Sequence, residues 1–263
     1  MITTWSRGEP AGFMPEALLI RLAHQVRRHP WWQARARLVL ATLRRAGIVP
    51  PAQVLDAGCG WGVTLEALES AGYRVAGLDV SRGALERLDR PDRRLIEADL
   101  TRLDVPSQPV PAFDAVLALD VIEHLDDDRA AVARLASLLR PGGWLVVTVP
   151  ALPQLYSEFD RVQGHRRRYR PEDLRAAFDA SGMVLVQLSW WGQWLVPLFR
   201  LHRGRTRRPA GRTPEEIYRR HLELPPWPLP WLFRWAFDRE QTPALDGHLT
   251  RGTSLLALAR RPG

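Results

Sequence analysis

The stretch "VLDAGCGWG", Val54 to Gly62, decides how this chain is read. Its first half, a short apolar run bounded by turn residues, fits a buried strand. Glycines follow at positions 58, 60 and 62. Glycine at a strand's end lets the backbone turn tightly and approach a ligand closely. In an open parallel sheet that end is where ligands bind. A dinucleotide site would continue as G-x-G-x-x-G, but Val63 stands where the third glycine belongs. The departure argues against a nicotinamide or flavin cofactor.

Working outward, "YRVAGLDV", "RRLIEADL", "FDAVLALDVIEHL" and "WLVVTVP" read as four more strands. Helices fit between them, over Val63 to Ala71, after Ser81 as N-cap, and from Ala130 to Leu139 where "RPGG" stops the pattern. Beyond an irregular segment that runs to Arg170, a helix opens with Pro171, carries Glu172 and Asp173 in its first turn and ends before Gly182. "MVLVQLSWW" and "TSLLALARR" supply a sixth and a seventh strand. The alternation predicts an α/β fold, a seven-stranded Rossmann-like sheet with helices on both faces. Upstream, Pro15 to Gly47 reads as one or two amphipathic helices broken at His29-Pro30. Three parts follow: a helical cap (1–47), a core (48–191 and 252–263) and a Trp/Pro/Arg-rich insertion (192–251).

Composition narrows the setting. Apolar residues make up 46% of the 263, as in a globular chain. The single cysteine, Cys59, cannot form an internal disulfide framework, and the N-terminus carries no signal-peptide pattern. The longest apolar stretch, Trp190 to Phe199, falls short of the roughly 20 residues a bilayer span needs. A cytoplasmic protein is expected. The net charge of +8 is divided as +6 over residues 1–47, −5 over 48–190 and +7 over 191–263. Basic flanks around an acidic middle suggest attraction to an anionic partner or surface. All 37 basic residues are arginine, and asparagine is absent; genome composition explains this more economically than function, although avoidance of asparagine also suits a heat-adapted source.

Two carboxylates stand behind the glycine loop, each at a strand's end. Asp79 could accept hydrogen bonds from ribose hydroxyls or simply cap the helix after it, and Asp99 could meet an adenine amino group or be a loop residue. Their joint placement favours the ligand reading. In order, "LDAGCGWG", "GLDVS", "EADL", "FDAVLALDVIEHL" and "LRPGGWLVVTVP" resemble the motifs of class I S-adenosylmethionine-dependent methyltransferases, from about His29 to Trp190 and again in the last strand. The resemblance implies S-adenosylmethionine as cofactor. Asp56, Gly58 and Gly60 would hold its methionine part, Asp79 with Val80 its ribose, and Asp99 with Leu100 its adenine; Leu119 and Asp120 would close the pocket. Cys59 is read as packing and not as a nucleophile.

"LDVIEHL" places Asp120, Glu123 and His124 just past the fourth strand. In a helical turn the three share a face. Histidine is the natural general base near neutral pH, and Glu123 could orient His124. The pattern, with a later histidine, is similar to small-RNA 2′-O-methyltransferases and ubiquinone-biosynthesis O-methyltransferases. That similarity implies an alternative in which Asp120, Glu123, His124 and His165 bind a divalent metal. The reading without metal is preferred.

His165 lies in "GHRRRYR", Gly164 to Arg170, which carries four arginines and looks at first like a nucleic-acid grip. Following the fifth strand, it should emerge at the same sheet edge as the glycine loop, with His165 a base, a metal ligand or a partner of Glu123. One or two of its arginines are expected to pair with Asp160, with Asp126 to Asp128, or with an anionic acceptor. Relatives place Ser or Thr where Arg170 stands, so the next helix start is expected to be weakly capped. "HPWWQARARL" and "GHRRRY" also resemble a bacterial branch of the superfamily, of the methyltransferase type 11/12 kind, in which Trp31, Trp32 and Arg35 would roof the pocket and Arg35 would meet the cofactor carboxylate. Core packing by the two tryptophans is an equal alternative.

Eight of the 11 tryptophans lie outside residues 48–190, five of them in or at the edge of the insertion beside the run Arg200 to Arg212. Tryptophan with arginine suits an acceptor lid that also touches anionic lipid headgroups; a lid packed on the core is the plainer reading. The expected activity is methyl transfer, to oxygen ahead of nitrogen or carbon, on a small-molecule, lipid-linked or glycan acceptor. An RNA 2′-O-methyltransferase with a metal is the runner-up, weakened by the lack of a recognisable RNA-binding module. A non-catalytic cofactor-binding scaffold is the third.

Overall fold

A computed structural model describes residues 2–6, 16–103, 112–205, 213–222 and 229–263, with backbone only for 16–20, 202–205 and 220–222. The stretches 206–212 and 223–228, with Arg207, Arg208 and Arg212 of the arginine run and Trp227, lie outside the described residues.

A short strand β1 (Ile2–Thr4) precedes two helices, α1 (Glu16–Arg28) and α2 (Pro30–Arg45). Pro30 sets the break between them, because a proline tolerates only the first turn of a helix; His29 Nδ1 caps that turn by accepting from Trp31 N–H at 3.2 Å. Then come β2 (Gln53–Ala57), α3 (Val63–Ser70), β3 (Arg74–Asp79), α4 (Arg82–Leu88) and β4 (Arg94–Glu97). As its sequence predicts, Ser81 caps α4, its hydroxyl accepting from Ala84 N–H. The chain continues through β5 (Phe113–Leu119), a 3-10 turn (Ile122–His124), α5 (Asp128–Ser137) and β6 (Leu139–Pro150). The C-terminal part holds α6 (Glu158–Gln163), α7 (Pro171–Asp179), β7 (Val184–Trp191), α8 (Leu195–Arg205), α9 (Pro214–Leu222), α10 (Leu229–Leu245) and β8 (Ser254–Arg260). Asp173 caps α7 from within, accepting from Arg170 N–H at 3.0 Å, so the missing Ser or Thr is replaced by a first-turn carboxylate.

The sheet runs β1-β4-β3-β2-β5-β6-β8-β7, parallel except at β8, which is antiparallel to both neighbours. Among the described residues it has eight strands where seven are expected. The extra one, β1, pairs with β4 across more than ninety residues of sequence, and three residues are too few to show a period.

Strand alternation divides the core. Val116 and Ala118 of β5 join the cluster under α5 and α7, while Ala115, Leu117 and Leu119 join the cluster under α2 and α10. Strand order reverses between β2 and β5, which makes their C-terminal ends the switch point where such sheets take ligands. The insertion leaves after β7 and returns at β8, and Thr253 N–H donates to Gly192 O at 3.2 Å where its ends meet.

Candidate active site

At the switch point the glycine loop folds as a cradle. Gly58 and Gly60 have φ of 80° and 45°, a region L side chains rarely adopt. A Cβ on Gly58 would lie 2.4 Å from Val121 Cγ2, whereas one on Gly60 would enter open space with nothing nearer than 4.0 Å. The glycine at 60 thus keeps room for a ligand and not for a neighbouring side chain. Asp79 ties the loop down, accepting from Gly60 N–H at 2.8 Å and from Ser81 N–H at 2.9 Å.

A cavity of about 370 Å³ opens above this loop. Of the residues singled out in the sequence, Arg35, Asp56, Gly58, Gly60, Leu119, Asp120, His124 and His165 line it together. Asp79, Val80, Asp99, Leu100 and Glu123 do not. Asp99 is engaged by its own turn, accepting from Thr101 N–H at 2.8 Å and Thr101 Oγ1 at 2.7 Å. Cys59 sits in the wall, its thiol pushed well up by burial and by Asp79, so it stays a protonated packing group.

Asp120, at the end of β5, has φ of 57°. Three contacts hold that conformation: its N–H donates to Thr148 O at 2.9 Å, Thr148 Oγ1 donates to Oδ1 at 3.2 Å, and Arg35 pairs with Oδ2. Arg35 also donates to Leu119 O at 3.3 Å, while its Nε is buried without a hydrogen-bond partner. Arg35 therefore bridges α2 to the end of β5 at the cavity wall. Burial pushes the Asp56 carboxyl up to about 7, with Arg35 opposing and Asp79 adding to the shift.

Glu123, His124 and His165 bring one donor atom each within 4.8 Å of one another. Asp120 stays out of this group because Arg35 and Thr148 engage it. Glu123 is fully buried with neither oxygen hydrogen-bonded, and burial and the nearby Asp120 charge push its carboxyl well above the usual range. Its Oε1 lies 3.8 Å from His165 Nε2. His124 stands edge-to-face with His165, ring centres 4.8 Å apart. Burial and the His165 ring draw it down to about 4, against the pull of Asp120 and the Gly164 and Asp120 backbones.

The sequence did not single out Asp160 as a site residue. It is fully buried on α6 and accepts from Ser157 N–H and Oγ at 2.8 Å each, from Arg168 Nε at 2.7 Å and from His165 Nδ1 at 3.0 Å. Despite burial, these donors hold its carboxyl well below the usual range. Two more arginines of "GHRRRYR" fasten the loop beside it. Arg167 pairs with Asp128 at 3.2 Å and Arg166 with Asp126 at 2.8 Å, while Arg166 Nε donates to His124 O. Two arginines of a run that looks like a polyanion grip thus hold the 124–128 loop, and a third holds Asp160.

The far wall is apolar: Phe159 from α6, Leu195 and Phe199 from α8, and Phe233 and Phe237 from α10. Trp31 packs at 4.2 Å between ring centres on Trp191, and both contact Phe237, so this tryptophan joins cap, core and insertion while it lines the cavity. Trp32 meets His29 and Trp61 edge-to-face.

Residues 27–188 match the family model described as a methyltransferase domain. The chain belongs to that family. Among curated relatives, the ubiquinone biosynthesis O-methyltransferase of Thiobacillus denitrificans is 35% identical over 101 residues, covering 35% of this chain and 42% of that protein. The enzyme of the same name from Burkholderia thailandensis is 26% identical over 192 residues, covering 61% and 80%. The chain thus spans less than half of the first relative's length. The fold of the Haemonchus contortus phosphoethanolamine N-methyltransferase 2 bound to S-adenosyl-L-methionine matches at a TM-score of 0.52, with 18% identity, covering 85% of this chain and 52% of that one. The [4+2]-cyclase SpnF matches at 0.54, with 18% identity, covering 86% and 80%. At such identities the two structures speak for the fold alone. The domain is of the class I, S-adenosylmethionine-dependent kind, and its glycine cradle, open at Gly60 and faced by Asp56, fits that cofactor.

Proposed function

We propose that this protein methylates a hydroxyl group on a small acceptor with an apolar body. One observation carries the reading: a single cavity runs from the glycine loop, past His165, to the phenylalanine wall of α8 and α10. Asp56, Gly58, Gly60 and Arg35 would hold the methionine end of S-adenosylmethionine, and Asp79 with Val80 and Asp99 with Leu100, which do not line the cavity itself, would meet its ribose and adenine at the neighbouring strand ends. When bound, that cofactor supplies a methyl group already activated on a sulfonium. The chain's task is then to align the acceptor and take up its proton. His165 does the second: its Nδ1 donates to Asp160, which leaves Nε2 as the ring's basic atom. Glu123, holding its own proton, does not compete for the acceptor's. The names of the curated relatives favour oxygen as the methylated atom.

The test is transfer of tritiated methyl from the cofactor into fractionated cell extract. Label should enter the small-molecule or lipid pool as a methyl ether; label confined to RNA would overturn the reading.

A second feature supports an acceptor met at a membrane surface. On α8 and α10, Leu198, Leu201, Leu232, Trp231 and Trp235 are exposed, Trp231 by 64%, and Arg239 sits 5.2 Å over Trp235. Exposed tryptophan with arginine suits anionic headgroups. No helix among the described residues is long and apolar enough to cross a membrane, so contact would be peripheral. Co-sedimentation with phosphatidylglycerol vesicles at low salt checks this: binding should fall in Trp231→Ala/Trp235→Ala, and a wild-type protein that stays in the supernatant refutes it.

A further inference from the structure

We propose that Asp160 is a positioning residue for proton transfer: its carboxylate fixes His165 in the Nδ1–H form and so keeps Nε2 free to accept. The inference rests on the reading of His165 as the base. An ionised carboxylate only accepts hydrogen bonds, so the 3.0 Å contact makes His165 Nδ1 the donor. In the neutral ring the lone pair then belongs to Nε2, which lies 3.8 Å from Glu123 Oε1.

The surroundings leave the pair little freedom. Oδ2 of Asp160 takes both Ser157 donors, and Oδ1 takes Arg168 and His165. Arg168 is anchored in turn on Ala151 O at 3.1 Å, just past β6. The His165 backbone is pinned on both sides, its N–H donating to Asp160 O at 2.8 Å and its carbonyl accepting from Tyr156 Oη at 2.7 Å. A helix cap accounts for the Ser157 contacts alone, because a capping box asks only that the first-turn carboxylate reach back to the N-cap N–H. The two further donors on Oδ1 are what a cap does not need.

Nitrogen NMR of histidine-labelled protein saturated with S-adenosylhomocysteine reads the ring directly. His165 should show a protonated Nδ1 and a bare Nε2; a protonated Nε2 with a bare Nδ1 overturns the proposal without any acceptor. In turnover with an alkyl-chain catechol, Asp160→Asn should lower kcat about 10²- to 10⁴-fold and by no more than His165→Ala does, as expected when a buried Asp–His pair holds the wrong tautomer. Asp160→Asn added to His165→Ala should cost nothing more than His165→Ala alone, because a positioning residue acts only through the ring. Independent, multiplying losses would make Asp160 structural. Ser157→Ala, which removes only part of the cap, should lower Tm and leave kcat near wild type. If His165→Ala itself turns over normally, the base reading fails; if only Asp160→Asn does, this inference alone fails.

Discussion

The Glu123 carboxyl and the His165 imidazole face each other in the buried wall of the site, Oε1 3.8 Å from Nε2, and the glutamate has no hydrogen bond of its own. Burial and the nearby Asp120 charge push a carboxyl so placed well above its usual range, which favours the form that holds its proton; on the proposed reading the histidine is the group that takes up the acceptor's.

The order of the two histidines follows. His124, drawn down to about 4, is a weak base at neutral pH, whereas His165 carries the Asp160 hydrogen bond. His165→Ala should lower kcat by about 10²- to 10⁴-fold while S-adenosylhomocysteine affinity is kept, and His124→Ala should cost clearly less. Steady-state kinetics with calorimetric cofactor binding decides, and the reverse order would hand the base role to His124.

Asp56 ties stability to pH. Its carboxyl, pushed up to about 7, keeps a proton in the folded protein that the unfolded chain would have lost. The stability this gives is present in acid and disappears as pH rises through about 7. Thermal melts of the free protein should therefore lose more Tm from about pH 5 to about pH 8 than melts of Asp56→Asn. Cofactor binding should tighten over the same interval, since an ammonium group favours the ionised form. Parallel melting curves for the two proteins would sink the assignment.

Arg35 holds the strained Asp120 and, on the proposed reading, meets the cofactor carboxylate. Arg35→Ala should cost about 1–3 kcal/mol of stability and weaken S-adenosylhomocysteine binding tenfold or more. Arg35→Lys keeps the charge but not the guanidinium's fixed fork, and should restore stability only in part. Unchanged cofactor affinity in Arg35→Ala would confine the residue to a structural role.

Phe237 and Phe199 line one wall but differ in burial. Phe237 is 3% exposed among Trp31, Trp191 and Trp194, so Phe237→Ala should destabilise the fold by about 3–5 kcal/mol. Phe199 is 37% exposed, and Phe199→Ala should leave Tm within a few degrees yet raise KM for an apolar acceptor. A KM unmoved in Phe199→Ala would remove the apolar wall from acceptor binding.

Metal removal separates the base reading from its alternative. With Asp120 engaged by Arg35, the clustered donors are one carboxyl, itself holding a proton, and two imidazoles. Turnover should therefore survive chelation and elemental analysis should find no stoichiometric metal in untagged protein. Activity that disappears with a chelator and returns with a divalent cation would replace this mechanism.

Much of the molecule is legible in its residues because the signals are local. The glycine loop, the Ser81 cap, the break at Pro30 and the strand alternation each depend on neighbours a few positions away, and each is found as read. Short-range rules also locate Asp56, Asp120, His124 and His165, because parallel strands deliver their C-terminal ends to one edge of the sheet. They miss β1, whose pairing with β4 closes a long loop, and they assign the arginines of "GHRRRYR" too loosely.

What only the tertiary structure decides is which partner each charge finds. From the sequence, Glu123 could orient adjacent His124 or partner His165; in the fold its carboxyl reaches His165. Asp160 reads as one of several partners for arginine, yet it closes on His165 through the turn that follows α6. The phenylalanine wall arises where α8 and α10 return over the sheet edge, far along the chain from the glycine loop. Period and propensity determine the scaffold because they act over a turn or a strand. The proton path depends on distances between side chains that only the packed, water-excluding fold brings within reach.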